Sequence, residues 1–165
     1  MENLVWAIGL WALVFILIPV ERIKQLWPVG VLSFFWMFFL NYAFIKLGYY
    51  TYASYLFVVA GVPPLALMGG AAGGILMMNW MQRNPLHKIL IVLLFSGFLS
   101  VTSELFMRLG AFAMLNGFDH ILHFAVNISG VAILVWLSFA LVGEERIYEG
   151  RRTNFVNRAW FKRIS

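Results

Sequence analysis

The sequence predicts an all-α fold, a polytopic bundle of about five transmembrane helices with the N-terminus outside and the C-terminus inside. Three observations predict it. Of the 165 residues, 62% are hydrophobic and only 12% charged, far from the balance of a water-soluble domain. The apolar residues come in unbroken runs near the roughly 20 that cross a hydrocarbon core, not in amphipathic stripes. Lys and Arg are shared unequally between alternate connections. A transmembrane β-barrel is excluded, because stretches such as Ile89 to Leu94 do not alternate in polarity.

The first span is expected over residues 4–20. Glu21, Arg22 and Lys24 follow it. A secretory signal instead places its positive charge before the apolar region and ends in small residues, so Ile18-Pro19-Val20 reads as part of a retained helix. The second span, over 29–45, opens at Trp27-Pro28 with proline in the first turn and closes before Lys46. Tyr49, Tyr50, Tyr52 and Tyr55 belong at the headgroup level, where rings are buried and hydroxyls stay wet. Gly61-Val62-Pro63-Pro64 then divides an interfacial stretch, ending near Ala60, from a third span over 63–81. A re-entrant hairpin is the alternative. The fourth span is expected over 89–107, after Gln82-Arg83-Asn84-Pro85, and the fifth over 121–142. Arg108 to His120, with Gly110 and Gly117, reads as a short loop between antiparallel neighbours. Residues 144–165 form a basic cytoplasmic juxtamembrane tail.

On this map one side carries ten of the twelve basic residues, the other only Lys46 and Arg108. The richer side is expected to be cytoplasmic, which sets the orientation of a multi-pass membrane protein. The net charge of +5 is a topology signal on this reading, so no nucleic-acid partner is expected. The chain has no cysteine, which rules out disulfides, thiolate metal sites and a cysteine nucleophile.

Ionisable groups inside spans are costly and mark candidate sites. Ser96, Ser100, Glu104 and Arg108 recur every four residues as one polar stripe, so Glu104 can pair with Arg108. His120, His123 and Asn127 share a face of the fifth span, and Asp119 can reach His123 across one turn. Together with Asn41 and Lys46 from the second span, these residues converge on the outer third of the bundle as a candidate polar cavity: Asn41, Lys46, Glu104, Arg108, Asp119, His120, His123 and Asn127. Two imidazoles and a carboxylate are adequate metal ligands. His120, His123 and Glu104 are thus weak metal candidates, and satisfied structural histidines are the alternative. No cofactor is expected.

Gly69, Gly70, Gly73 and Gly74 form overlapping small-xxx-small pairs, which predict a helix-packing face within the chain or in a homo-oligomer. In the tail, Arg151, Arg152, Arg158, Lys162 and Arg163, interleaved with Phe155, Trp160 and Phe161, are expected to lie against anionic headgroups. A membrane partner protein would suit the same composition.

Arg22 to Pro28, Leu47-Gly48-Tyr49-Tyr50, Pro63-Pro64 and Ser103-Glu104 resemble, in order, a family of uncharacterised short multi-span membrane proteins of spore-forming Gram-positive bacteria. The resemblance implies the cytoplasmic membrane and no established activity. Glu104, Arg108, Asp119, Asn127 and Gly130 are more faintly similar to the polar pattern of VanZ-like membrane proteins. The functional expectation is a non-catalytic binding or assembly component of the cell envelope. A small carrier or channel using the outer cavity and an intramembrane metal-dependent enzyme are the alternatives.

Overall fold

Proline, asparagine, aspartate and glycine set where each helix begins and ends. The computed structural model describes residues 2–53 and 57–149. Helix α1 (Glu2–Leu17) stops before Pro19, which in turn precedes α2 (Val20–Lys46). Pro28 lies inside α2 and does not start it, so the second helix begins a full two turns before the expected point. Proline removes one helical hydrogen bond, to the carbonyl four residues back; that residue, Lys24, is exposed, so water can replace the missing donor. Helix α3 (Pro64–Trp80) and α4 (Pro85–Arg108) each open with proline in the first turn, where its missing N–H costs nothing. Asn84 caps α4 by accepting from the Leu86 amide at 2.9 Å. Asp119 caps α5 (His120–Val142) in the same way, accepting from the Leu122 amide at 2.9 Å. A short α6 (Glu144–Glu149) follows Gly143.

Helices α2 and α4 end alike. In each, the amide of the second residue past the cap returns to the carbonyl three residues inside the helix end: Tyr49 to Phe44 and Ala111 to Phe106, both at 2.9 Å. Gly48 and Gly110 supply the left-handed conformation that this Schellman ending requires, with φ of 79° and 71°. Each ending releases the chain directly into a strand, β1 (Tyr50–Tyr52) and β2 (Phe112–Met114). The strands pair antiparallel, Tyr50 opposite Met114 and Tyr52 opposite Phe112. Asn116 adds a bond from Nδ2 to the Gly48 carbonyl at 2.8 Å. The connection expected as a plain loop thus carries half of a small sheet, which ties the α2–α3 and α4–α5 links together.

Helix α3 packs against α1 and α2, and α5 packs against α2 and α4. The core lies mainly between α1, α2 and α3, where Val14, Leu26, Val29, Ala72, Ile75 and Met78 are fully buried. Outward-facing Phe15, Phe35, Leu90, Leu94, Val101 and Trp136 are exposed, far more apolar surface than water tolerates. Helices α2, α4 and α5 are long and apolar enough to cross a membrane, and α1 is a shorter apolar helix.

The end opposite the sheet is closed by α6. The Arg22 side chain is 2% exposed and donates to Asn79 Oδ1 (3.3 Å), Gln25 Oε1 (3.1 Å) and the carbonyls of Arg146 (2.8 Å) and Ile147 (2.5 Å). Those carbonyls belong to the last turn of α6, where helix geometry leaves them without internal donors and the dipole favours a cation. Lys88 pairs with Glu144 at 3.0 Å, and Arg83 pairs with Glu145.

Candidate functional site

Because α3 barely touches α4, a partly open cavity of about 140 Å³ remains among the helices beneath the sheet. A buried water needs only about 10 to 15 Å³ on this scale, so the space suits a ring-sized group. Its walls are mostly aromatic and aliphatic. Trp36, Met37 and Leu40 come from α2, Phe95 and Phe98 from α4, and Val131 and Leu134 from α5. Trp6 of α1 stacks on Phe98, with ring centroids 5.1 Å apart.

The glycine face of α3 forms another wall, and its four members differ. Side-chain carbons added at Gly69, Gly70 and Gly74 would run into Trp6, Met37 and Ser33, whereas one added at Gly73 would meet nothing within 4 Å. Three of these glycines therefore admit close neighbours, while Gly73 faces open space.

Polar groups gather at the sheet end. Tyr50 Oη lies 2.7 Å from His123 Nδ1. Tyr52 donates to Asn41 Oδ1 at 2.5 Å, and Asn41 Nδ2 donates to the Met37 carbonyl at 2.8 Å. Asn127 Nδ2 donates to Ser100 Oγ at 3.0 Å. Burial pushes the phenols of Tyr50 and Tyr52 above their ordinary range, so both keep their protons. The imidazole of His123 is 6% exposed and is ringed by Tyr50, Phe112 and Phe118.

Of the eight residues expected in one polar cavity, Asn41, His123 and Asn127 line it. Glu104, Arg108 and His120 form a separate cluster: Arg108 Nε donates to Glu104 at 2.9 Å, and His120 Nδ1 lies 3.7 Å from the same carboxylate. Arg108 and His120 are wet there, with side chains 76% and 72% exposed. Asp119 does not turn to His123; it caps α5, because its oxygen is better placed for the free amides of the first turn. Lys46 lies over the Tyr42 ring, 5.5 Å from its centre. His123 is drawn to Tyr50, away from the Glu104 and His120 cluster, and no group of three metal-ligating side chains occurs among the described residues. Arg151, Arg152, Arg158, Lys162 and Arg163 lie outside the described residues.

Tyr50 is the principal site residue that pattern reading, which expected it at the headgroup level, did not assign to the cavity. Its proximity to Phe44 and His123 depends on strand pairing, which three residues per strand do not announce. Comparison with family models, curated proteins and solved structures finds no match.

Proposed function

We propose that the chain is a non-catalytic binding protein of the bacterial cytoplasmic membrane, crossing it five times with the N-terminus outside, and that it holds a lipophilic small molecule inside the bundle. The observation that carries this reading is the cavity, apolar along its length and polar only at the sheet end. Such a combination, a greasy pocket with a few convergent polar groups, is the usual form of a small-molecule site.

The topology is supported by the two ends of the bundle. The α1–α2 turn meets α6 through Arg22, and the α3–α4 connection meets it through Arg83 and Lys88, while both remaining connections meet in the β1–β2 pair. Five alternating crossings produce this grouping. Helices α1 and α3, at 16 and 17 residues, are short for a bilayer of about 30 Å, and each packs against longer neighbours. The basic tail, including Arg151, Arg152, Arg158, Lys162 and Arg163, then lies on the cytoplasmic face against anionic headgroups.

Binding is tested by native mass spectrometry of the protein released mildly from its membrane. A small lipophilic mass should accompany the wild-type chain and be lost from Gly73→Leu, which fills the cavity. Equal retention by both would refute the reading. Orientation is tested by single cysteines in this cysteine-free chain. Thr51→Cys should react with an impermeant reagent on intact cells and Arg152→Cys should not; the reverse would invert the map.

A further inference from the structure

Tyr50 and His123 together decide which chemistry the cavity presents. Among the described residues the retained Tyr50 proton has one acceptor within reach, His123 Nδ1 at 2.7 Å. An imidazole that accepts at Nδ1 carries its own hydrogen on Nε2. The reverse tautomer would leave the Tyr50 hydroxyl hydrogen without an acceptor, so the hydrogen-bond network assigns Nε2–H. This nitrogen is buried, on a side chain that lines the cavity, and nothing among the described residues pairs with it, so a ligand oxygen reaches it only once the lining shifts slightly to admit it. The amides nearby each spend one N–H within the protein, Asn41 on Met37 and Asn127 on Ser100, whereas the imidazole N–H spends none.

We propose that His123 Nε2–H is the anchor for an uncharged lipophilic carbonyl compound, of the quinone type, whose oxygen accepts from it while its ring lies among the aromatic walls. The inference rests on the binding function proposed above and narrows the ligand class. A buried donor without a partner is a standing cost, which an acceptor on the ligand removes. Among the described residues the lining contains no Asp, Glu, Lys or Arg, so neither a carboxylate nor an ammonium ligand would find a counter-charge in a space where an unpaired charge is expensive. Trp36, Phe98 and Phe112 are among the aromatic side chains of the lining, a surface suited to a conjugated ring. A membrane is the phase in which such compounds dissolve.

The test uses the full chain in detergent and three probes sharing one tail: a decyl-substituted benzoquinone, decylbenzene and decanoate. Thermal stabilisation by each, taken at equal micellar mole fraction, gives relative affinities. The quinone should bind the wild-type chain about tenfold more tightly than decylbenzene, one net hydrogen bond, and decanoate should bind no better than decylbenzene. His123→Phe should erase the quinone's advantage over decylbenzene. His123→Gln, which keeps a donor, should recover part of it. Should His123→Phe not fold, the comparison of probes on the wild-type chain still decides, and Tyr50→Phe should narrow the difference by releasing the tautomer.

Equal binding of quinone and decylbenzene, or an advantage that survives His123→Phe, would overturn the anchor and leave the binding function standing. Decanoate binding as tightly as the quinone would overturn the uncharged class. If no probe stabilises the protein, the binding function itself falls with it.

Discussion

Arg22 gives the sharpest test of how the bundle is closed. It is a buried guanidinium with no carboxylate partner among the described residues, held by four neutral oxygens. Arg22→Met keeps most of the volume and the apolar stem but removes every one of those bonds. Hydrogen bonds from a charged donor contribute about 1.5 to 3 kcal/mol each, and two of the four, to Asn79 and to Ile147, are buried. The variant also removes the charge and its desolvation cost, which offsets part of the loss. A net destabilisation of about 2 to 3 kcal/mol follows. Arg22→Lys should fall roughly midway, because a single ammonium cannot span Asn79 and the α6 carbonyls as the planar fork does. Unfolding by a harsh detergent titrated into mixed micelles measures the total, and hydrogen exchange at α6 localises it. A midpoint for Arg22→Met equivalent to less than about 0.5 kcal/mol, the level of an ordinary surface change, would refute the reasoning. A second check is non-additivity. Asn79 is fully buried and its Nδ2 is unpaired already, so Asn79→Leu should cost less in the Arg22→Met background than in the wild-type chain.

Three further outcomes are expected. Glu144 receives the Tyr148 hydroxyl at 2.5 Å and Lys88 at 3.0 Å, and these hold its carboxyl below the ordinary value of 4.5; a depressed folded pKa contributes stability above the unfolded value and loses it as pH falls. Protection of α6, read by hydrogen exchange corrected for intrinsic rates, should therefore decline as the pH drops below 4.5, and Glu144→Gln should flatten that response. The Glu104 and Arg108 pair is solvent-exposed, so Glu104→Gln and Arg108→Leu should leave the unfolding midpoint unchanged singly and together; a double variant markedly off the sum would show a buried role. On α3, Gly74→Ala should destabilise through its collision with Ser33, while Gly73→Leu should raise the unfolding midpoint and abolish ligand retention, both measurable by thermal unfolding in detergent.

Much of the helical architecture is legible because it depends on local quantities. Run length, composition and the prolines that open α3 and α4 need no tertiary information. The grouping of Asn41, His123 and Asn127 at one end is legible for the same reason, since helical spacing sets both depth and face. What fails is everything decided across elements. Arg22 follows an apolar run, and a basic residue there has the same signature whether it anchors to headgroups or is buried under α6, 124 residues away in sequence. Asp119 carried a usable signal, an acidic residue just before a helical run, which is an N-cap pattern. Reading it as a partner for His123 gave weight to side-chain reach over the stronger demand of free backbone amides. Tyr50 could not be placed without the register of two three-residue strands, and that register follows from two Schellman endings that only the folded chain displays.

The cavity and the well-made ends belong to one argument. A void of about 140 Å³ carries a penalty of up to about 3 kcal/mol at roughly 24 cal/mol per Å³, an upper bound because solvent or lipid chains can enter a partly open space. A single leucine at Gly73 would remove much of that penalty and add helix propensity worth up to about 1 kcal/mol, and its Cβ would meet nothing within 4 Å. The fold therefore has an accessible route to greater stability that its sequence does not take. Stability surrendered in this way is characteristic of sites that must receive something. The structure supports the open space from both sides: strand pairing and the Schellman endings at one end, the Arg22 knot and the α6 ion pairs at the other. Rigid ends spare the middle from having to close, and a pocket braced in this manner stays open beside His123. If Gly73→Leu proves more stable and Arg22→Met opens the far end without altering ligand affinity, the two functions of the bundle, closure and binding, are energetically separate; a coupled loss of both would mean that α6 docking shapes the cavity itself.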